Sequence, residues 1–234
     1  MMCSPHQQID AAGCVKHLFA LAMTLGDLGM YTEAVLLLSW TVTLYRDMHR
    51  DKPRVFVPYL ACSLHFLGMY RLKLGQYSAA VVAGTEATTL YRQVHATAMG
   101  HDIAADLGMA LMIHSCALRQ MGQIHREEAL SNCGEALSIF HRLVHSREDL
   151  NTELAMVLVT QARHFDNAER FDQALEYGQE AVDLLSPSDD DTDNHAQIQL
   201  AGALCSHAFH LWRACRSLDC IEVNKKAMAL YRVL

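Results

Sequence analysis

Fourteen His, eight Cys and 26 Asp or Glu are the residues of this chain with chemistry to offer, so their spacing comes first. Cys62 with His65, His141 with His145, and Cys205 with His207 and His210 are the closest groupings. Spacings of three or four put two side chains on one helix face. A structural zinc ion takes four ligands, commonly from paired short motifs, and no Cys-x-x-Cys occurs. The Cys therefore read as small core residues and most His as helix-surface residues. The run Asp189-Asp190-Asp191-Thr192-Asp193 has the look of a calcium loop, but an EF-hand starting there needs Gly at 194 and Glu at 200. The chain has Asn194 and Leu200, so the run reads as a solvated loop whose charges favour the start of the next helix. No Gly-rich phosphate loop and no Ser or Cys nucleophile in a recognisable turn is present. The expectation is no metal, no cofactor, no catalytic residue and no enzyme.

The elements that carry these residues are helical. Of the 234 residues 51% are hydrophobic and 19% charged, enough for a sizeable core in a soluble globular protein. Leu, Ala and Met are many, aromatics few, and only 4 Pro interrupt, which favours helix over sheet. The net charge of -7 offers no basic excess for nucleic acid, and no apolar run approaches 18 residues, so no membrane span is expected. The start, MMCSPHQQID, lacks an apolar signal core. Eight Cys without a tight framework suggest reduced thiols and a cytoplasmic, intracellular setting.

Self-similarity is the main content of the chain. Leu44-Tyr45-Arg46 returns as Leu90-Tyr91-Arg92, and Leu28-Gly29-Met30-Tyr31 returns as Leu74-Gly75-Gln76-Tyr77, both with a spacing of 46. A third copy follows at Met121-Gly122-Gln123-Ile124 with a turn two residues longer. A fourth stands at Glu169-Arg170-Phe171, without the Gly, and a worn fifth at Ser217-Leu218-Asp219, closing on Leu230-Tyr231-Arg232. Apolar residues three, four and seven apart on both sides of each turn make antiparallel helix pairs. The pairs span roughly 12–49, 58–97, 102–146, 150–186 and 194–233. Gly29 and Gly75 are expected to end helices with positive φ. The breakers Pro53, Pro58, Gly100 and Ser186-Pro187-Ser188 separate the pairs.

The pattern of a large apolar residue, Leu-Gly or Leu-Ala, Gly-x-Tyr-x-x-Ala and a second Ala resembles the tetratricopeptide repeat (TPR). It stands here as Leu18, Leu21, Ala22, Gly29, Tyr31, Ala34, then as Leu64, Leu67, Gly68, Gly75, Tyr77, Ala80, Ala87. The period of 45 to 49 is similar to that of long-helix arrays such as kinesin light chain and fungal and bacterial signalling TPR proteins. The resemblance implies one all-α domain over 1–234, a right-handed α-solenoid of about five stacked helix pairs, in which the first helix of each pair lines a concave groove. By register the lining is Phe19, Met23, His65, Met69, Met109, Met112, Cys116, Arg119, Arg163, His210 and Arg213.

The function this implies is non-catalytic binding of a protein or peptide, as adaptor, scaffold or sensor. A Met-rich middle suits adaptable apolar contacts, with the alternative that Met at helical spacing is core. Arg119, Arg163 and Arg213 suit an acidic ligand. The carboxylate-clamp residues of some family members are absent, with Phe19 and His65 where they would stand. Two other readings are a self-associating structural module and a helical domain sensing a small ligand. Leu211, Trp212, Leu218 and Ile221 of the fifth pair exceed what one neighbour covers, so the chain is expected either to be a piece of a longer array or to self-associate through its C-terminal helix pair.

Overall fold

A computed structural model describes residues 5–97, 101–186 and 194–232. Among the described residues there are ten α-helices and no strand. They are α1 (Pro5–Asp27), α2 (Tyr31–Asp51), α3 (Pro53–Lys73), α4 (Tyr77–Thr97), α5 (His101–Gln120), α6 (Arg126–Val144), α7 (Asn151–Asn167), α8 (Phe171–Leu185), α9 (Asn194–Arg213) and α10 (Ser217–Tyr231). Short 3-10 turns at Gln123–His125 and Glu148–Leu150 lead into α6 and α7. The chain divides into two compact units, Met1–Met121 and Gly122–Leu234, so α5 and α6 fall in different units. Gly100, Pro187-Ser188 and the acidic run Asp189–Asp193 lie outside the described residues.

Five residues in left-handed conformation set the period: Gly29 (φ 76°), Gly75 (φ 73°), Gly122 (φ 100°), Glu169 (φ 59°) and Cys215 (φ 61°). Four of the turns repeat one hydrogen-bond pattern. The left-handed residue donates to the carbonyl three back, and the next residue donates to the carbonyl five back. The first turn shows it as Gly29 N–H to Gly26 at 2.9 Å and Met30 N–H to Leu25 at 2.9 Å; the fourth as Glu169 to Asp166 at 3.0 Å and Arg170 to Phe165 at 2.9 Å. Each of these helix ends thereby satisfies carbonyls that would otherwise be orphaned. The turn at Gly122 differs: its ψ is -170° and the 3-10 turn precedes α6, as the two extra residues require.

Two boundaries differ from expectation. The third helix starts at Pro53, at the N-terminal position where a missing N–H costs nothing, and Pro58 lies inside it rather than at its start. The fifth turn sits at Cys215, so α10 begins at Ser217 and Cys220 holds the place of Ala34, Ala80 and Ala174. Those three Ala are fully buried, as are Ala129 and, one helical stretch further on, Thr41, Ala87, Ala136, Ala181 and Ala227. Small residues there let the helices approach closely.

In unit 1 the core gathers Leu38, Tyr45, Leu60, Leu64, Leu67 and Tyr70 from α2 and α3. By length and composition α3 is apolar enough to cross a membrane; it packs against both α2 and α4 and buries Leu60, Leu64, Leu67 and Tyr70 as a core helix does. The join between pairs uses the same device in each unit. His114 on α5 lies over Gly84 on α4, where a Cβ would meet the imidazole at 2.9 Å, and its Nε2 is 3.2 Å from the Thr85 hydroxyl. His207 on α9 lies over Gly178 on α8, where a Cβ would meet Nδ1 at 2.7 Å. A hole on one helix is filled by a flat ring from the next, so these two His are buried packing residues rather than surface ones.

Candidate functional site

In unit 1 the first-helix residues converge on Phe66. Phe19 meets its ring edge-on at 5.7 Å, His65 at 4.9 Å, and Phe66 lies 6.4 Å from Tyr70, whose hydroxyl reaches the Met23 sulfur at 3.8 Å. Phe19, Met23, Phe66 and Met69 are half-buried and pack against the unit's core. On α5, which packs on α3, Met109, Cys116 and Arg119 are half-buried too. Met112 is 3% exposed and belongs to the core; its neighbours His114 and Ser115 are also sealed, so it cannot line a surface. Phe66 was not anticipated, although its place one residue after His65 was visible. The result is a strip with one apolar flank in the core and the other open, made of side chains that adapt. His65 brings no charge to it at neutral pH. Its Nδ1 is sealed without a hydrogen-bond partner, and burial pushes its pKa down to about 4.

In unit 2 the anticipated residues part company. Arg163 is exposed, whereas His210 is 1% exposed and cannot line a groove. Arg213 is committed within the chain: its Nε lies 3.3 Å from the buried Asp166 carboxylate, and its guanidinium sits 5.4 Å over Phe171. An acidic group would have to compete with Asp166 for Arg213. Asp166 also lies 3.6 Å from His210 Nδ1, and Ser206 Oγ is 3.5 Å from His210 Nε2. The order Ser, His, Asp is that of a hydrolase triad. Here the serine sits in mid-helix, where backbone N–H groups are taken up by the helix, and both distances are long. The cluster is a buried polar network. Burial holds the His210 pKa below its ordinary value and Asp166 opposes the shift. His141 and Cys205, weighed above as metal ligands, stand elsewhere, with His141 3.6 Å from Glu180 and Cys205 exposed.

A cavity of about 870 Å³ lies in unit 2 between α8 and α10 over α9. One wall is Asp172, Leu175, Glu176, Gln179, Glu180 and Asp183, a single face of α8; the other is Asp219, Glu222, Val223 and Lys226 of α10 with Arg216; His207 and Leu211 form the floor. Leu211, expected on the outside, is buried beneath it. Its signal in the sequence is the recurrence of carboxylates at 172, 176, 180 and 183, once per helical turn.

Neither a protein-family model nor a curated relative matches the sequence. Solved structures do match in fold. The TPR-like repeats of a kinesin light chain from Podosopora anserina align at 15% identity over 93% of this chain and 94% of that one, with a TM-score of 0.67. BtubC (BKLC) from P. vanneervenii aligns at 14% identity over 97% and 84%, with a TM-score of 0.72. MamA from Desulfovibrio magneticus RS-1 aligns at 17% identity over 94% and 96%, with a TM-score of 0.53. At these identities the likeness establishes the fold, a TPR-like array of helix pairs.

Proposed function

We propose that this TPR-like chain is a non-catalytic protein-interaction module, an adaptor or scaffold that takes a peptide or protein segment on the first-helix face of unit 1. The observation that carries the reading is the half-buried strip of Phe19, Met23, Phe66 and Met69, with Met109 on α5. Thioether and aromatic side chains with one open flank suit partners that bury apolar anchors. The step from fold to binding rests on what such folds commonly do. A random-peptide display library panned against the chain tests it. Peptides with an apolar anchor are expected, and a Met69→Lys variant of unchanged helicity is expected to lose them. A folded chain that selects no peptide, or a set indifferent to Met69→Lys, overturns the reading. The seven described Cys are free thiols, which supports a reducing, intracellular compartment.

A specific observation favours self-association as a second reading. Positions that are buried in α2, α4 and α6 are open in α10. Tyr231 occupies the place of Tyr45, Tyr91 and Phe140 and is 52% exposed, and Met228 is open where Val42, Thr88 and Leu137 are closed. Trp212, Leu218 and Ile221 add to that surface. Sedimentation over a concentration series is expected to show association that Tyr231→Lys abolishes; a strictly monomeric chain at high concentration removes this reading.

A further inference from the structure

The groove over α9 shares no lining residue with the first-helix strip in unit 1. Six carboxylates line it against two cations, and both cations are already neutralised. Arg216 pairs with Asp219 at 2.7 Å and Lys226 with Glu222 at 3.2 Å, so the α10 wall is balanced. The α8 wall is not. Among the described residues Asp172, Glu176, Glu180 and Asp183 have no Lys or Arg within ion-pair distance; Asp183 accepts from the Gln179 amide at 2.8 Å, and Glu180 faces His141 at 3.6 Å. Their positions span three helical turns, about 16 Å, with a carboxylate at each turn. Val223 stands half-buried opposite this ladder, and Leu175 and Leu211 are buried beneath it.

The floor of the groove is closed by His207, whose Nδ1 packs against Gly178. His207 is 5% exposed, and its Nδ1 is sealed without a hydrogen-bond partner. Leaving a buried polar atom unmet costs the fold on the order of 1 to 3 kcal/mol. Burial holds the imidazole below its ordinary pKa, so the ring does not offset the carboxylates at neutral pH.

We infer that this groove binds a basic amphipathic helix of a partner protein, its Lys or Arg repeating each turn against Asp172, Glu176, Glu180 and Asp183 and its apolar side toward Val223. Two helices flanking a third form a trough that a further helix fits, and cations one turn apart match carboxylates one turn apart. Charge complementarity of this kind acts first on the association rate and is screened by salt.

The test uses the whole chain and a labelled helix-forming peptide with Lys at every turn and Leu beside it, read by fluorescence anisotropy. Binding is expected at low salt and is expected to weaken as salt rises. The exposed pair Glu176→Gln with Glu180→Gln is expected to cost about tenfold in affinity, while Glu127→Gln, outside the groove, and Met69→Lys, in the other strip, leave it unchanged. A scrambled peptide of the same composition is expected to bind more weakly, because it misplaces the cations. The inference is overturned if the scrambled peptide binds equally, if spermine of equal charge competes equally, or if the Gln pair binds like the wild type with its helicity intact. Retention of this binding by Met69→Lys separates its outcome from that of the display experiment.

Discussion

The two units share a backbone plan and fill it differently. Residues 1–121 hold nine Lys and Arg against eight Asp and Glu, so unit 1 is nearly neutral; residues 122–234 hold ten against eighteen, so unit 2 carries the whole acidic excess. Unit 1 closes its turns with Gly29 and Gly75 and stacks aromatics between pairs, as with Tyr31 on Tyr70 at 5.7 Å and Tyr45 on Tyr59 at 5.7 Å. Unit 2 places Glu169 and Cys215 in the same left-handed conformation and builds the Asp166, His210 and Arg213 network at the equivalent joint. The comparison teaches that the turn hydrogen bonds, rather than the residue type, hold the period. Both versions make the same pair of bonds to carbonyls three and five residues back. Glycine makes that conformation cheap; another residue pays about 1 to 2 kcal/mol for it.

The largest contrast is expected at the closing aromatic. Phe140 is fully buried, and Phe140→Ala should cost about 3 to 5 kcal/mol. Tyr231, at the same repeat position, is half open, and Tyr231→Ala should stay within about 1 kcal/mol in dilute solution. Denaturant melts of the two variants at one low concentration check this; equal losses would mean that α10 is covered as α6 is.

Acid should separate the units next. His65 is held neutral to about 4 in the folded state and titrates near 6.5 when unfolded. Below the unfolded value the unfolded chain binds a proton that the folded chain does not. Its contribution is thus whole above pH 6.5 and is lost as pH falls from 6.5 towards 4, by up to about 3 kcal/mol. In unit 2 burial also lowers the His207 and His210 pKa values, with Asp183 and Asp166 opposing the shifts, so a proton there gains a carboxylate neighbour that His65 lacks. Imidazole titration by NMR, with His65→Phe flattening the acid limb of the stability curve, decides the point. A His65 signal titrating near 6.5 would refute it.

Turn substitutions should move stability in opposite directions. Gly75→Ala should destabilise by about 1 kcal/mol and Glu169→Gly should stabilise by up to about 1 kcal/mol, because only the second relieves a strained residue. Thermal melts reading the same sign for both would show that the two turns are not equivalent. The smallest effect belongs to the Arg46–Glu86 pair joining α2 and α4, whose side chains are partly exposed. A double-mutant cycle should give less than about 1 kcal/mol there, declining with salt.

The fold was legible because it is written twice. The 46-residue return of both Leu-Gly-x-Tyr and Leu-Tyr-Arg marks helix ends and a buried aromatic in the same register, and local rules suffice to turn those marks into helix pairs. The site was legible only in part. Phe19 and Met23 share one face of α1, and His65 and Met69 the corresponding face of α3, which spacing and the repeat register show. Met112 and His210 obey the same spacing and are buried, because the neighbouring helix covers them, which spacing does not show.

The sequence by itself thus determined the helices, their pairing and the turns at Gly29 and Gly75, since each depends on residues within one period of each other. The tertiary structure alone decided which partner each polar residue found. Arg213 turns to Asp166, 47 positions away, and His207 and His114 fill the gaps left by Gly178 and Gly84. The α8 carboxylates, unremarkable along the chain, become the wall of a groove because α10 stands opposite them. Burial and charge pairing are properties of neighbours in space, and a repeat period specifies which helices are neighbours without specifying what their side chains meet.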